Sequence, residues 1–445
     1  MDRRRFLRNL LSGATALAVA PALLRGEDAF AGDPARFAAG LREQPWLAGW
    51  KSVQSETLGP ATVQLEGRLP AGFAGTLYRN GPAWTERAGF RYEHWFDGDG
   101  MVHAWRFNGD GTLRHHARMV ATPKFTREQR AGRFMYPVAG TSIPDRQPIR
   151  NNDDANAANT SVTVINGRLF ALCEAGSAFE LDPDDLATLG PVTWRPDLAA
   201  IPFSAHPLVD RDGSSWNFGS IAMMGGNGLV VWHVGRDGTL VSADVLETPV
   251  PGYLHSFAMT DRHLVFALIP FSYREGNGAF FERLRFQPDQ PLRIAVVDKG
   301  ALRELVLDLR SGKAHWEDTG VTGIEFPVFD ARTPSRGAAR LYAPIHADGS
   351  TAPYFSRIGA FDPARGRRQV HDYGRDVLVE EHLFVPRPGS TRPDDGWLVG
   401  TLLDAAKGRS GIAVLDARRV DDGPLAQAWL PYTAPLGFHG HFAAR

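Results

Sequence analysis

The chain has 445 residues and a formal net charge of −1, which leaves no bulk charge for holding a nucleic acid or an anionic membrane. Its single cysteine, Cys173, excludes an intrachain disulfide and a cysteine-rich metal site. With 43% hydrophobic and 22% charged residues the composition is that of a globular protein, and the length admits two or three domains or one large all-β unit.

Residues 1–31 read as a targeting segment. Arg3-Arg4-Arg5-Phe6-Leu7 precedes an apolar stretch from Leu10 to Leu24, and Ala29-Phe30-Ala31 offers a small-x-small cleavage site. The paired arginines before Phe-Leu resemble a twin-arginine export signal. The stretch is too short and too rich in Gly, Ala and Ser for a transmembrane span. The expectation is a periplasmic or otherwise exported protein, delivered by the twin-arginine machinery, with residues 32–445 as its one folded domain.

Past Gly32 the pattern is strand, turn, strand. Helical periodicity is confined to residues 34–42 and Glu128–Arg133. Strands are predicted in chain order at Thr76–Arg79, Val102–Phe107, Ser161–Ile165, Arg168–Leu172, Gly228–His233, His263–Ile269, Arg293–Val297, Trp397–Leu403 and Gly411–Leu415. Asn-Gly and Asp-Gly turns separate them, as hairpin-built all-β structure requires. Cys173, in a strand-like run, reads as a buried structural residue. So many short strands need a device for managing sheet edges, and a propeller supplies one while drawing its innermost strands to one axis. No repeat of fixed period marks the blades.

Three histidines stand in distinctive settings: His206 in Ser-Ala-His-Pro, His255 in Tyr-Leu-His-Ser-Phe, and His439 in Gly-Phe-His-Gly. Imidazole is the commonest protein ligand for catalytic metals. These three are too far apart in sequence for one helix or loop to unite them, so only the fold could bring them to a point.

The segments around them resemble the carotenoid cleavage oxygenase family, which also contains retinoid isomerases and stilbene-cleaving dioxygenases. The resemblance runs through Leu69–Pro82, His94–His103, Ala158–Ser161, Ala171–Gly176, Ala205–Pro207, Leu254–Phe257, Glu325–Pro327, Phe384–Arg387, Asp394–Trp397 and Gly437–Gly440. It implies a seven-bladed β-propeller with a dome of loops and short helices. It also implies an axial ferrous ion, Fe(2+), held by four histidines, and a non-haem dioxygenase reaction. O2 and an apolar polyene or aromatic olefin are then the substrates, with an apolar tunnel and a peripheral membrane contact to suit them. His206, His255 and His439 fall on three of the four metal positions. Glu174 and Glu325 fall on positions that orient the imidazoles.

The sequence departs from the family in two places. The segment expected to carry the remaining histidine, between Arg293–Val297 and the Asp308–Gly312 turn, is absent, with the junction near Lys299–Leu302. Loss of strands there would leave the propeller incomplete; His315, in Ala-His-Trp, only superficially echoes the missing motif. In addition, Pro393 stands where the family offers an orienting glutamate, so either Asp394 takes that role or one imidazole loses its partner. The expected function is cleavage of a conjugated C=C bond of a carotenoid, apocarotenoid or related polyene to carbonyl products. The alternatives are a stilbene-cleaving dioxygenase, with Lys124 and Tyr136 as groups to grip a phenol, and a polyene-binding protein impaired in catalysis.

Overall fold

The computed structural model describes residues 32–221, 228–248, 253–274, 276, 278–300, 304–308, 323–332, 340–350, 352–362 and 365–445. The targeting segment, the junction at 301–302 and His315 lie outside them. All nine predicted strands are present, most extended by one or more residues. The helix at 34–42 is Pro34–Glu43, started by the Asp33 carboxylate accepting from the Ala35 N–H. The second helix begins earlier than its periodicity suggested, at Pro123–Ala131, because Thr122 caps it through the Phe125 N–H and Pro123 occupies its first turn. A third, Phe280–Arg283, was not foreseen.

The strands form six antiparallel sheets of three to five strands and two small ribbons. Sheet one contains Ala74–Trp84, Asp99–Asn108 and Leu113–Met119. Sheet two runs from Ser161–Ile165 to Thr188–Pro191, and sheet three from Leu208–Val209 to Leu240–Glu247. Sheet four joins Ala258–Met259, His263–Leu268, Arg293–Asp298 and Glu304–Asp308. Sheet five runs from Leu341–Ile345 to Arg367–Asp372, and sheet six joins Val377–Pro386, Gly396–Asp404, Arg409–Asp416 and Pro424–Trp429. The chain ends cross. The early strand Gln64–Gly67 completes sheet six, while the final strand Gly440–Ala444 pairs with Ala74–Trp84 in sheet one.

Packing shows how the sheets succeed one another. Tyr78 and Val102 of sheet one bury against Leu169 and Phe179 of sheet two. Phe170 and Leu172 of sheet two meet Val230 and Trp232 of sheet three. Phe218 and Val231 of sheet three meet Phe266 and Val297 of sheet four. Tyr342 and Ile358 of sheet five meet Leu398 and Ala413 of sheet six. Trp397 and Ile412 of sheet six close onto Leu77 and Trp105 of sheet one. Each junction removes a wide apolar surface from water, which drives the stacking. This is a propeller of consecutive blades. Among the described residues no buried apolar cluster joins sheet four to sheet five, and the position near 299–302 at which the sequence lacks a segment falls within sheet four, between Arg293–Asp298 and Glu304–Asp308. Six blades rather than seven are seen among the described residues.

Several other histidines are core residues. His115, on Leu113–Met119, is fully buried between His103, whose Nδ1 lies 3.1 Å from its Nε2, and the Tyr432 hydroxyl, 3.0 Å from its Nδ1. Burial holds the imidazoles of His94, His103 and His382 down to about 4, 3 and 4. These folded values lie below the ordinary 6.5, so the unfolded chain takes up protons that the folded chain refuses. Stability from these groups is complete above about pH 6.5 and is lost as pH falls through 4. Asp97 opposes them, since burial pushes its carboxyl up to about 6 and the folded chain binds its proton first. Three groups outweigh one. Unfolding at pH 5 is therefore expected to take up roughly two protons from this set, and Tm should fall between pH 7 and pH 5. A Tm that stays level or rises over that range would contradict the assignment, and calorimetry in buffers of different ionisation enthalpy measures the uptake.

Candidate metal centre

The fold brings His206, His255 and His439 together, with one ring nitrogen of each within 4.8 Å of the others. Each lies just ahead of a strand at a sheet edge: Leu208–Val209, Ala258–Met259 and Gly440–Ala444. The local sequence explains their placement. Ser161 donates its hydroxyl to the Ala205 carbonyl, and the Ser204 N–H bonds the Phe218 carbonyl at 2.8 Å, which fixes the backbone before His206. Tyr253, Leu254 and His255 alternate as an extended chain does. Leu254 turns into the core while Tyr253 and His255 both face Glu174. The glycines of Gly-Phe-His-Gly permit close backbone approach. A Cβ at Gly437 would lie 2.9 Å from the Asn80 carbonyl oxygen, and one at Gly440 would lie 2.5 Å from that of Tyr78.

Two of the imidazoles have a carboxylate behind them. Glu174 accepts from His255 Nδ1 with one oxygen and from the Tyr253 hydroxyl with the other. Glu381 accepts from His439 Nδ1 at 3.0 Å with one oxygen. Its second oxygen accepts from Arg79 at 2.7 Å and from the Gly440 N–H at 2.9 Å. Such partners fix the ring and leave Nε2 free to bind a metal. Burial pulls the His255 imidazole down, but the charge and hydrogen bond of Glu174 and the charge of Glu325 outweigh it and hold it above its usual value. Burial raises the Glu381 carboxyl, but His439, Arg79 and the Gly440 N–H outweigh that and hold it low. His206 is driven well down by burial and by its two histidine neighbours, so it is neutral.

This set fits a metal ion. His206 Nε2 and His255 Nε2 are 2.9 Å apart. Two nitrogens on adjacent corners of an octahedral ion, with bonds near 2.1 Å, would be separated by about 3.0 Å. Three imidazoles leave room for other ligands.

Two expectations are corrected here. Asp394 does not replace the missing glutamate, because its carboxylate lies 3.4 Å from the Tyr342 hydroxyl and its N–H bonds Asp330. Glu381 orients His439 instead. Sequence reading missed it because the ladder between Val377–Pro386 and Gly396–Asp404 shifts register between Val379 and His382. A bulge of this kind re-aims side chains, and here it turns both Glu380 and Glu381 toward the cavity. The available signal was the pair of acids inside an otherwise apolar strand. Cys173, expected in the core, is half-buried on the cavity wall, where burial raises its thiol. Glu325 lines the same cavity and acts on His255 through its charge.

Glu381→Gln is expected to weaken metal binding by roughly 10–100-fold, the usual cost of losing an orienting partner. Asp394→Asn should leave it unchanged. Competition against a chelator measures both, and an equal effect of the two changes would remove Glu381 from the role.

The histidines open onto a cavity of about 810 Å³ whose walls are largely aromatic and aliphatic, among them Phe96, Phe218, Phe280, Phe281 and Phe438. The fold and site together define a β-propeller with a cluster of three histidines, placed to hold a metal ion, opening onto an apolar chamber. The chain belongs to the carotenoid cleavage oxygenase family. The family model described as "RPE65: Retinal pigment epithelial membrane protein" matches residues 50–301 and 298–444. The two matched stretches meet where the segment is lacking.

Among similar proteins is the apocarotenoid-15,15'-oxygenase of Synechocystis sp., 28% identical over 90% of this chain and 96% of its own length. That alignment spans 479 residues, more than this chain contains, so it sets residues of the relative against gaps here. Resveratrol cleavage oxygenase 1 of Aspergillus fumigatus is 26% identical over 85% of this chain and 91% of its own. A cobalt-substituted Synechocystis enzyme structure shares the fold with a TM-score of 0.78 and 24% identity, covering 90% of this chain and 99% of that one.

Proposed function

We propose that this protein is a non-haem Fe(II) dioxygenase that splits a conjugated C=C bond of a carotenoid, apocarotenoid or related polyene with O2, giving two carbonyl products. The observation that carries this reading is the convergence of three imidazoles, two of them backed by carboxylates, on one apolar cavity. His206, His255 and His439 would hold the iron, which supplies the binding and activation of O2. Glu174 and Glu381 keep His255 and His439 in the tautomer that presents Nε2. Tyr253 and Arg79 hold those carboxylates in turn. The aromatic walls bind the polyene by surface burial and exclude bulk water.

Anaerobic reconstitution with Fe(II), followed by metal analysis and addition of O2 and a polyene, tests the proposal. Near-stoichiometric iron with O2-dependent bleaching and paired carbonyl products is expected. Protein that binds the polyene but neither retains iron nor cleaves would favour the binding-only reading.

Stilbene cleavage is the weaker reading, although relatives named resveratrol cleavage oxygenase 1 and lignostilbene-alpha,beta-dioxygenase isozyme III are similar. The residues expected to grip a phenol do not line the cavity. Lys124 is enclosed by Asp99, Glu128 and Tyr92, and Tyr136 is buried with its hydroxyl 3.2 Å from Arg127. We also propose export through the twin-arginine route on the strength of Arg4-Arg5-Phe6-Leu7. Retention of an Arg4→Lys, Arg5→Lys double variant in the cytoplasm would support that route.

A further inference from the structure

Arg283 is the one arginine or lysine among the described residues that line the cavity. It ends the short helix Phe280–Arg283 and is held rather than free-swinging. Its Nε donates to the Arg274 carbonyl at 2.9 Å, and its guanidinium lies over the Tyr273 ring at 4.2 Å. Its two terminal nitrogens have no hydrogen-bond partner among the described residues. Among the described residues no ion pair joins it to the neighbouring Glu282, which accepts from the Ala279 N–H at 2.8 Å and from the Ser142 hydroxyl at 3.2 Å. Arg146 adds a second positive charge acting on Tyr273.

A line of aromatic rings joins this guanidinium to the histidines. Tyr273 stands 5.6 Å from Phe280, Phe280 stands 6.0 Å from Tyr253, and Tyr253 bonds Glu174, which holds His255. A flat conjugated chain laid along these rings would have its reacting bond at the histidines and its end group at Arg283. Glu174, Glu325 and Glu381 gather at the histidine end, where they offset Arg79 and the charge of a bound divalent ion. Arg283 stands apart from these acids, at the other end of the aromatic line.

We infer that Arg283 is a specificity-determining residue that selects polyenes ending in a carboxylate, by pairing its terminal nitrogens with the carboxylate oxygens. This inference rests on the polyene-binding reading above. A guanidinium already stacked and hydrogen-bonded pays little ordering entropy, and its fork matches a carboxylate.

The test compares a polyene acid with the alcohol of the same skeleton, retinoic acid and retinol, binding to the full protein under anaerobic conditions. Quenching of tryptophan fluorescence gives Kd. The protein is expected to bind the acid at least about tenfold more tightly than the alcohol, as a charge-assisted pair permits. Arg283→Gln should remove that preference while leaving the alcohol's Kd unchanged, and Arg283→Lys should keep part of it. Equal affinity for acid and alcohol in the unaltered protein overturns the role of Arg283 alone. So does an equal loss of both ligands in Arg283→Gln, which would mark the guanidinium as packing for Tyr273. Binding of neither polyene overturns the inference together with the reading beneath it.

Discussion

The His255→Ala protein is expected to lose more than about 100-fold in Fe(II) affinity, exceeding the penalty for removing an orienting partner. O2-dependent bleaching of a polyene should disappear with the metal. The physical reason is the number of ligands. Among the described residues only His206, His255 and His439 form a cluster able to hold an ion, so removing one leaves two nitrogens. The change also strands the Glu174 carboxylate, which His255 and Tyr253 now satisfy. His255→Ala that retains stoichiometric iron, with far-ultraviolet circular dichroism unchanged, would show that the metal is held elsewhere.

Lys124→Met should cost about 3–5 kcal/mol of stability, as removal of one partner from a buried ion cluster does. Lys124 is fully buried on the helix Pro123–Ala131, and its ammonium lies 2.7 Å from Asp99, 3.0 Å from Glu128 and 3.1 Å from the Tyr92 hydroxyl. Burial alone would lower the lysine, but the two carboxylates outweigh it and hold it well above its usual value. Glu128 also accepts from the Met135 and Tyr136 N–H groups, so the cluster ties the helix to the loop that follows it. Methionine is one heavy atom shorter than lysine but unbranched like it and keeps most of the packing, so the loss would report chiefly the unpaired acids. Adding Glu128→Gln should recover at least about 1 kcal/mol, because the two sites share one interaction. Urea unfolding of the single and double variants decides the matter. A loss under about 1 kcal/mol for Lys124→Met would mean that the charges contribute little.

Much of the fold was legible because strand patterning is local. Ser161–Ile165 and Arg168–Leu172 emerge with the bounds read from the sequence, since a two-residue Asn-Gly turn between β-branched runs dictates a hairpin. The helix Pro123–Ala131 was only half visible. Its charged interior, with Lys124 and Glu128 turned inward, conceals the usual apolar stripe. At the site, the three histidines and Glu174 could be read from their motifs. Glu381 could not, because a break in strand register overrides the period-two alternation by which inward residues are recognised.

By itself the sequence determined nine of the strands, the family, the three histidines and the absence of a segment near residues 299–302. All of these depend on residue identity or on spacing along the chain. Only the tertiary structure decided which carboxylate stands behind which imidazole, that Lys124 faces two acids instead of a substrate, and that Arg283 closes an aromatic line leading to His255. Glu174 meets His255 across 81 residues and Glu381 meets His439 across 58. Such pairings are set by how the blades converge on one axis, and no local period in the chain encodes them.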